Sequence, residues 1–315
     1  ASGELPPIHV HYIVDGEEHP GKTFAVRAWD PETHPDRPEG FSLGVWGAGR
    51  PDDDAVAEDF GQLLSGNGFK LVFGTTNKEE ADFFHRFGIN YYPRFGPHHP
   101  SEEHPSINWD GTPNPHSADP IHLIYDKEAV KLPTFQRGIE AAKKDWVDGV
   151  CCDYEVVADS WSDRAIAEFK RFQPRFAKHT KEELRRLATD PETGEYRPFP
   201  EWQDFRRWLN ARIVGRIQRE MQAIRPDVPY LSLASATDMP CYWWDAAGRG
   251  RFRLRDLVTQ VDQVACSVYH YDNPGGLPSI PAIVETAERF ALGYDTEMHL
   301  IGIFSGTVIE LYRYD

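Results

Sequence analysis

Positive charge is scarce in this chain: 34 Lys and Arg stand against 50 Asp and Glu, a formal net charge of −16. That surplus repels phosphates, which argues against nucleic acid or an anionic membrane surface as a partner and favours a neutral or cationic ligand. Long apolar runs are also missing, and no stretch approaches the ~20 residues that a membrane-spanning helix needs. Cysteine is sparse, with four residues among 315, too few for a disulfide framework. Cys151 and Cys152 are neighbours whose side chains point to opposite faces of a strand, so they cannot both join one local bridge without distortion. Cys266 sits in the apolar run Val264–Val268 and reads as a small buried hydrophobe, while Cys241 belongs to a loop or strand end. No His shares the motif of Cys151 to activate it, so these thiols read as structural. Metal-ligand spacing is lacking as well. His98, His99, His104, His116 and His122 gather in or beside one polar stretch, but neither a His-x3-His spacing nor a Cys pair accompanies them. No metal and no cofactor is therefore expected. No internal repeat of 20–50 residues is visible. The chain begins Ala-Ser-Gly without Met, which fits a removed signal peptide or a trimmed chain.

What is present is an alternation of strand and helix signals over a length that suits one full α/β barrel. Hydrophobic residues at 40% and charged residues at 27% are ordinary for a globular protein. Residues 8–14 alternate like a half-exposed strand and, with the segment around 24–29, predict an N-terminal hairpin. Barrel strands are predicted at 41–47, 69–75, 89–92, 147–155, 230–235, 261–271 and 299–304, with 308–312 as an eighth strand or the start of a helix. Between them lie helices over 55–64, 78–87, 134–144, 162–176, 201–224 and 280–292. Asn77 and Ser162 stand as N-caps, and Gly88 closes its helix. The helix at 201–224 carries Trp202, Phe205, Leu209, Ile213, Ile217, Met221 and Ile224 on one stripe. A polar stretch over 96–120, rich in Pro, His, Ser and Asn, reads as a long loop insertion at the substrate face. The expectation is one domain over 1–315, with 1–40 as an N-terminal extension. Its fold class is α/β, a (β/α)8 TIM-type barrel with an N-terminal β-hairpin. Little room remains for the last helix, so the barrel is short of an element or the chain is a piece of a longer protein.

The chemistry concentrates in Asp148-Gly-Val-Cys-Cys-Asp153-Tyr-Glu155. Its apolar body has the character of a buried strand and ends in two carboxylates one residue apart. Side chains alternate along a strand, so Cys151, Asp153 and Glu155 share one face while Val150, Cys152 and Tyr154 share the other. Crowded carboxylates raise at least one pKa, which a general acid working near neutrality requires. A lone Asp-x-Glu at a strand end is more often a pair of solvated acids. The Asp-Gly entry and the apolar body tip the reading toward a functional site.

These residues resemble the Asp-Gly-x-Asp-x-Asp-x-Glu motif of glycoside hydrolase family 18, the chitinases and endo-β-N-acetylglucosaminidases. Asp148, Gly149, Asp153 and Glu155 match the motif, while Cys151 stands where the family has its middle Asp. Tyr269-His-Tyr271-Asp272 is similar to the family's Met-x-Tyr-Asp, and Leu300–Phe304 weakly echoes its seventh strand. The eighth-strand Trp has no counterpart. The resemblance covers residue 41 onward in strand order, not in sequence identity. It implies that Glu155 protonates the glycosidic oxygen and later deprotonates water, while the substrate's own 2-acetamido oxygen attacks the anomeric carbon. It further implies that Asp153 orients that group, with Tyr271 bonding its carbonyl and Asp272 in support. Cys151 removes the partner that would share a proton with Asp153.

Barrel geometry would bring further residues to the same face: Trp46, Tyr91 and Tyr92, then Asp238, Tyr242, Trp243 and Trp244. The Trp pair suits a sugar-stacking platform or a plug in the barrel mouth equally well. The expected function is a secreted or periplasmic glycoside hydrolase acting on a carbohydrate substrate, with neither nucleic acid nor membrane as partner. One alternative is a two-carboxylate glycosidase on non-acetylated glycans, with Asp272 or Glu310 as the second carboxylate. The other is a catalytically inactive carbohydrate-binding barrel.

Overall fold

The computed structural model describes residues 4–14, 17–27, 43–66, 68–96, 99–153, 158–234, 254–257, 259–261, 263–269 and 297–303. The expected hairpin is there: strand β1 (Glu4–Val14) pairs antiparallel with β2 (Glu17–Arg27). Its register shifts between Leu5 and Ile8, across Pro6 and Pro7, which have no N–H to give the ladder.

A repeating strand–helix path follows. Strand β3 (Leu43–Trp46) leads to helix α1 (Asp54–Gly66), β4 (Phe69–Gly74) to α2 (Lys78–Arg86), and then comes β5 (Asn90–Phe95). The described part of the 96–120 stretch is more than a loop. It contains its own antiparallel pair, β6 (Pro105–Ile107) with β7 (Pro113–Ala118), and runs into a short helix α3 (Pro120–Tyr125). Next come α4 (Pro133–Ala142), β8 (Val150–Asp153), α5 (Asp163–Phe172), α6 (Lys181–Leu187) and the long α7 (Pro200–Gln222). Strand β9 (Tyr230–Ala234), a short α8 (Leu254–Leu257), β10 (Gln263–Tyr269) and β11 (Glu297–Ile303) complete the described elements. The helix expected at 280–292 and the element expected at 308–312 lie outside the described residues.

β3, β4, β5, β8, β9, β10 and β11 form one seven-stranded sheet in chain order, and every neighbouring pair is parallel. Residues of its two edge strands come within 8 Å of each other, Cα to Cα, so the sheet curls toward itself. The helix starts follow their sequence signals. Asp53 accepts the N–H groups of Ala55 and Val56, Asn77 that of Glu79, and Ser162 that of Ala165. Thr180 and Glu183 form a reciprocal capping box on α6, which satisfies two otherwise orphaned donors. The stripe on α7 is buried from Trp202 to Met221, but the helix ends at Gln222 and Ile224 is exposed.

The insertion is tied to the body through Asp126, just past α3. Arg164 of α5 reaches both of its carboxylate oxygens, at 2.6 and 2.8 Å, and His122 Nδ1 lies 2.9 Å from one of them. Arg164 first, and His122 after it, hold the Asp126 carboxyl well below the usual range. A depressed carboxylate contributes stability above its unfolded pKa and loses it as pH falls through that range. Arg164→Ala is thus expected to lower stability by ~1 kcal/mol or less at pH 7, as befits a partly solvated pair. The difference from the parent should shrink below about pH 4. Denaturant titrations at pH 7 and pH 3 measure it, and an equal deficit at both would refute the assignment.

Candidate active site

Strand β8 is short because only Val150, Cys151 and Cys152 are wholly buried before the chain turns polar at Asp153. Its two thiols part company as alternation requires. Cys152 belongs to the large apolar cluster beneath the helices, while Cys151 packs with Phe73, Tyr92 and Leu231 on the other face. Asp153 is two residues beyond Cys151, half-buried at the C-terminal end of the strand, and shares the Cys151 face. The fourth strand of the parallel sheet, and its parity up to Asp153, were thus legible in the sequence.

Backbone pairing sets the strands in register rows. Arg94 of β5, Cys151, Leu231 of β9, Gln263 of β10 and Glu297 of β11 stand in one row. Asp153, Leu233, Ala265 and His299 stand in the next, toward the C-terminal ends. Burial pushes the Cys151 thiol well up, with Cys152 and Asp153 adding to the shift and Arg94 opposing it. Burial also raises Cys152, to about 12. Both thiols are therefore neutral near pH 7 and poor nucleophiles.

Arg94 escapes the sequence reading, which stops the third strand at Tyr92; Pro93 follows, and proline is rare inside strands. The strand instead continues through Pro93 to Phe95. Arg94 lies two residues after Tyr92 and so on the same face, and its guanidinium comes 3.9 Å from where a Cβ on Gly47 would stand, just past β3. A cation and a carboxylate, Arg94 and Asp153, thus occupy the C-terminal half of this face.

The first two motif residues sit at the opposite end of β8 and hold the strand in place. Asp148 Oδ2 accepts the Tyr91 N–H at 2.8 Å and lies 2.7 Å from His85 Nε2. At Gly149 a Cβ would fall 2.2 Å from a Tyr92 ring carbon, so no larger residue fits without displacing that ring. Asp148→Ala strands a partly buried donor and is expected to cost about 1–3 kcal/mol of stability. If Asp148 only positions the strand, the pH profile of activity should keep its shape while the melting temperature drops. A displaced profile would assign Asp148 to the chemistry.

The other candidate residues are scattered. Tyr91 is fully buried behind the sheet with Phe84 and Val72, and its hydroxyl donates to Thr75 O at 2.8 Å and lies 2.5 Å from Glu80 Oε2. This is the face away from Asp153, so the sugar-contact role expected of Tyr91 does not fit its placement. Strand parity is the reason, since consecutive tyrosines cannot both face inward. Tyr92 is on the Cys151 face, deep in the row below Arg94 and edge-on to Phe73 at 6.0 Å. Trp46 ends β3, where its backbone pairs with Phe73. Glu155, Asp238, Tyr242, Trp243, Trp244, Tyr271 and Asp272 lie outside the described residues, as does Glu310. His104 of the insertion stacks on His122 of α3 at 4.1 Å. Among the described residues no three potential metal ligands gather, and no helix is long and apolar enough to cross a membrane.

No family model matches the sequence, and none of the curated proteins does. Solved structures do show the fold. The glycoside hydrolase domain of PgaB (BpsB) from Bordetella bronchiseptica is similar with a TM-score of 0.52 at 14% identity, over 82% of this chain and 83% of that one. The β-galactosidase of the psychrophilic Marinomonas ef1 is a weaker likeness, TM-score 0.46 and 10% identity over 73% of this chain. So is the agarase AgWH50C, TM-score 0.44 and 14% identity over 93% of this chain. This chain spans 41% of the length of each of those two proteins. The likeness is to a glycoside hydrolase fold, and nothing in it singles out family 18.

Proposed function

We propose that this protein is a glycoside hydrolase, secreted or periplasmic, built on a closed (β/α)8 barrel, with its active centre at the C-terminal end of the parallel sheet. The carrying observation is Asp153, held at the end of a central strand on the face of Cys151 and Arg94. Alternation from Asp153 carries Glu155 to the same face one row further, at the barrel mouth. There Glu155 is the general acid that protonates the leaving oxygen and then the base that activates water. Catalytic residues at the C-terminal ends of strands are the rule for such barrels. Trp46, Asp238, Tyr242, Trp243 and Trp244 are proposed to contact the glycan around it. The likeness to the PgaB glycoside hydrolase domain supports the fold on which this reading rests.

For the nucleophile, the family 18 resemblance implies the substrate's 2-acetamido oxygen, with Asp153, Tyr271 and Asp272 orienting it. The buried thiol at position 151 favours a second reading. A neutral Cys151 cannot share a proton with Asp153 as a carboxyl would, so a second enzymic carboxylate, Asp272 first, takes the nucleophile or base role. A panel of N-acetylglucosamine-containing and plain glycans decides between them. Under the substrate-assisted scheme only acetamido sugars are cleaved, and a thiazoline analogue of the oxazolinium binds far more tightly than the parent sugar. Cleavage of a glycan with free 2-hydroxyls would overturn that scheme and leave the two-carboxylate one. Turnover of no glycan at all would overturn the hydrolase.

A further inference from the structure

A cavity of about 460 Å³ opens between the β6–β7 hairpin and the segment that follows β8. Its wall includes Trp109, Trp161 and Tyr196, with Asn108, Asn114 and Ser117 along the hairpin side. Trp109 and Tyr196 stack at 6.0 Å and 25°, and Trp161 stands edge-on behind Tyr196 at 6.2 Å. The polar tips of these rings are already engaged. Trp109 Nε1 donates to Arg185 O at 3.3 Å, and the Tyr196 hydroxyl donates to Asp159 Oδ2 at 2.6 Å. Trp109 and Tyr196 are thus fixed at their polar tips and give the cavity apolar ring surface, while Trp161 is itself buried. Asp159, also on the wall, is balanced by Arg206 Nε at 3.2 Å and accepts the Trp202 N–H at 3.1 Å. Asp110 is engaged by the Thr112 N–H and hydroxyl. A preorganised aromatic shelf rimmed by amides and a hydroxyl, with Asp159 ion-paired and Asp110 turned to its own Thr112 donors, suits a ligand with C–H faces and hydroxyl edges and no negative charge.

We infer that this cavity is a binding subsite for a neutral pyranose unit of a glycan chain, separate from the cleavage centre. Asp159 and Trp161, on its wall, follow Glu155 closely in the sequence. Asp159 lies four residues after Glu155, so their Cα atoms are at most ~14 Å apart. One oligosaccharide can therefore occupy both places. In that respect the inference rests on the hydrolase reading, but the binding itself does not.

The test is binding, measured by calorimetry on the full chain carrying Glu155→Gln to prevent turnover, with β-1,4-linked hexamers of N-acetylglucosamine and of glucose as probes. Adding Trp109→Ala should weaken binding of at least one hexamer by about 5–10-fold, in line with one stacking contact. Trp109→Phe should retain most of the affinity, and a thermal melt of the Trp109→Ala protein close to the parent's guards against a folding defect. Asn114→Ala, on the other wall, should weaken the same hexamer. Binding that ignores both Trp109 and Asn114, or no binding of either hexamer, would overturn the subsite. Trp109-dependent binding by a parent chain that cleaves nothing would keep the subsite and sink the hydrolase. Turnover by the parent with Trp109-independent binding would do the reverse.

Discussion

Glu155→Gln should lower glycan turnover by about 10²–10⁴-fold, the range that a positioned general acid contributes. The substitution keeps side-chain length and removes the proton that must reach the glycosidic oxygen. Folding should be untouched, because the carboxylate is proposed to face the barrel mouth and not a packed layer. Asp153→Asn is the informative companion. If Asp153 orients the reacting group, its loss should act mainly on kcat, since an interaction made only in the transition state lowers kcat and kcat/KM together. A Glu155→Gln protein with near-parental turnover on the cleaved glycan would end the assignment. Partial rescue of Glu155→Gln by a substrate whose leaving group needs no protonation would support it, because the acid would then be dispensable for the first step.

How far the sequence speaks for this site depends on what each residue must satisfy. Strand parity at β8 is legible because only one arrangement buries Cys152 beneath the helices and leaves Asp153 at the rim. The caps at Asn77 and Ser162 are legible because a side-chain oxygen before a helix answers backbone donors that nothing else reaches. Arg94 was hidden by Pro93, whose usual meaning, a strand end, was overridden by tertiary pairing with Cys151 and Cys152. Tyr91 was misplaced for a different reason. Aromatic character marks core and ligand contact alike, and only the register of β5 says which tyrosine turns toward the helices. The insertion gave no periodic signal because β6 has three residues and β7 carries two prolines, so its hairpin emerges from contacts with the body and not from local propensity.

Trp202→Ala carries the largest expected loss of stability. Trp202 is fully buried on α7, stacks on Trp161 at 4.2 Å, and packs against Phe169 at 4.8 Å and Phe205 at 5.4 Å. Truncating a buried Trp leaves a cavity that the surrounding rings can fill only in part, which costs about 3–5 kcal/mol. Its indole N–H also helps α7 hold the segment after β8: Trp202 donates to Asp159, Arg206 pairs with the same carboxylate at 3.2 Å, and Asn210 Oδ1 accepts the Ala158 N–H at 2.8 Å. Against a typical total of about 5–15 kcal/mol, the loss is a large fraction of the whole. Trp202→Phe separates the two contributions, since it keeps a ring in the stack and gives up the donor. It should lose clearly less than the Ala variant, while still loosening Asp159 and the Tyr196 ring that depends on it. Urea unfolding followed by far-ultraviolet circular dichroism gives both numbers. A Trp202→Ala midpoint within about 1 kcal/mol of the parent would mean that the aromatic stack does not hold α7 to the segment after β8, and the preorganisation of the neighbouring cavity would need another source.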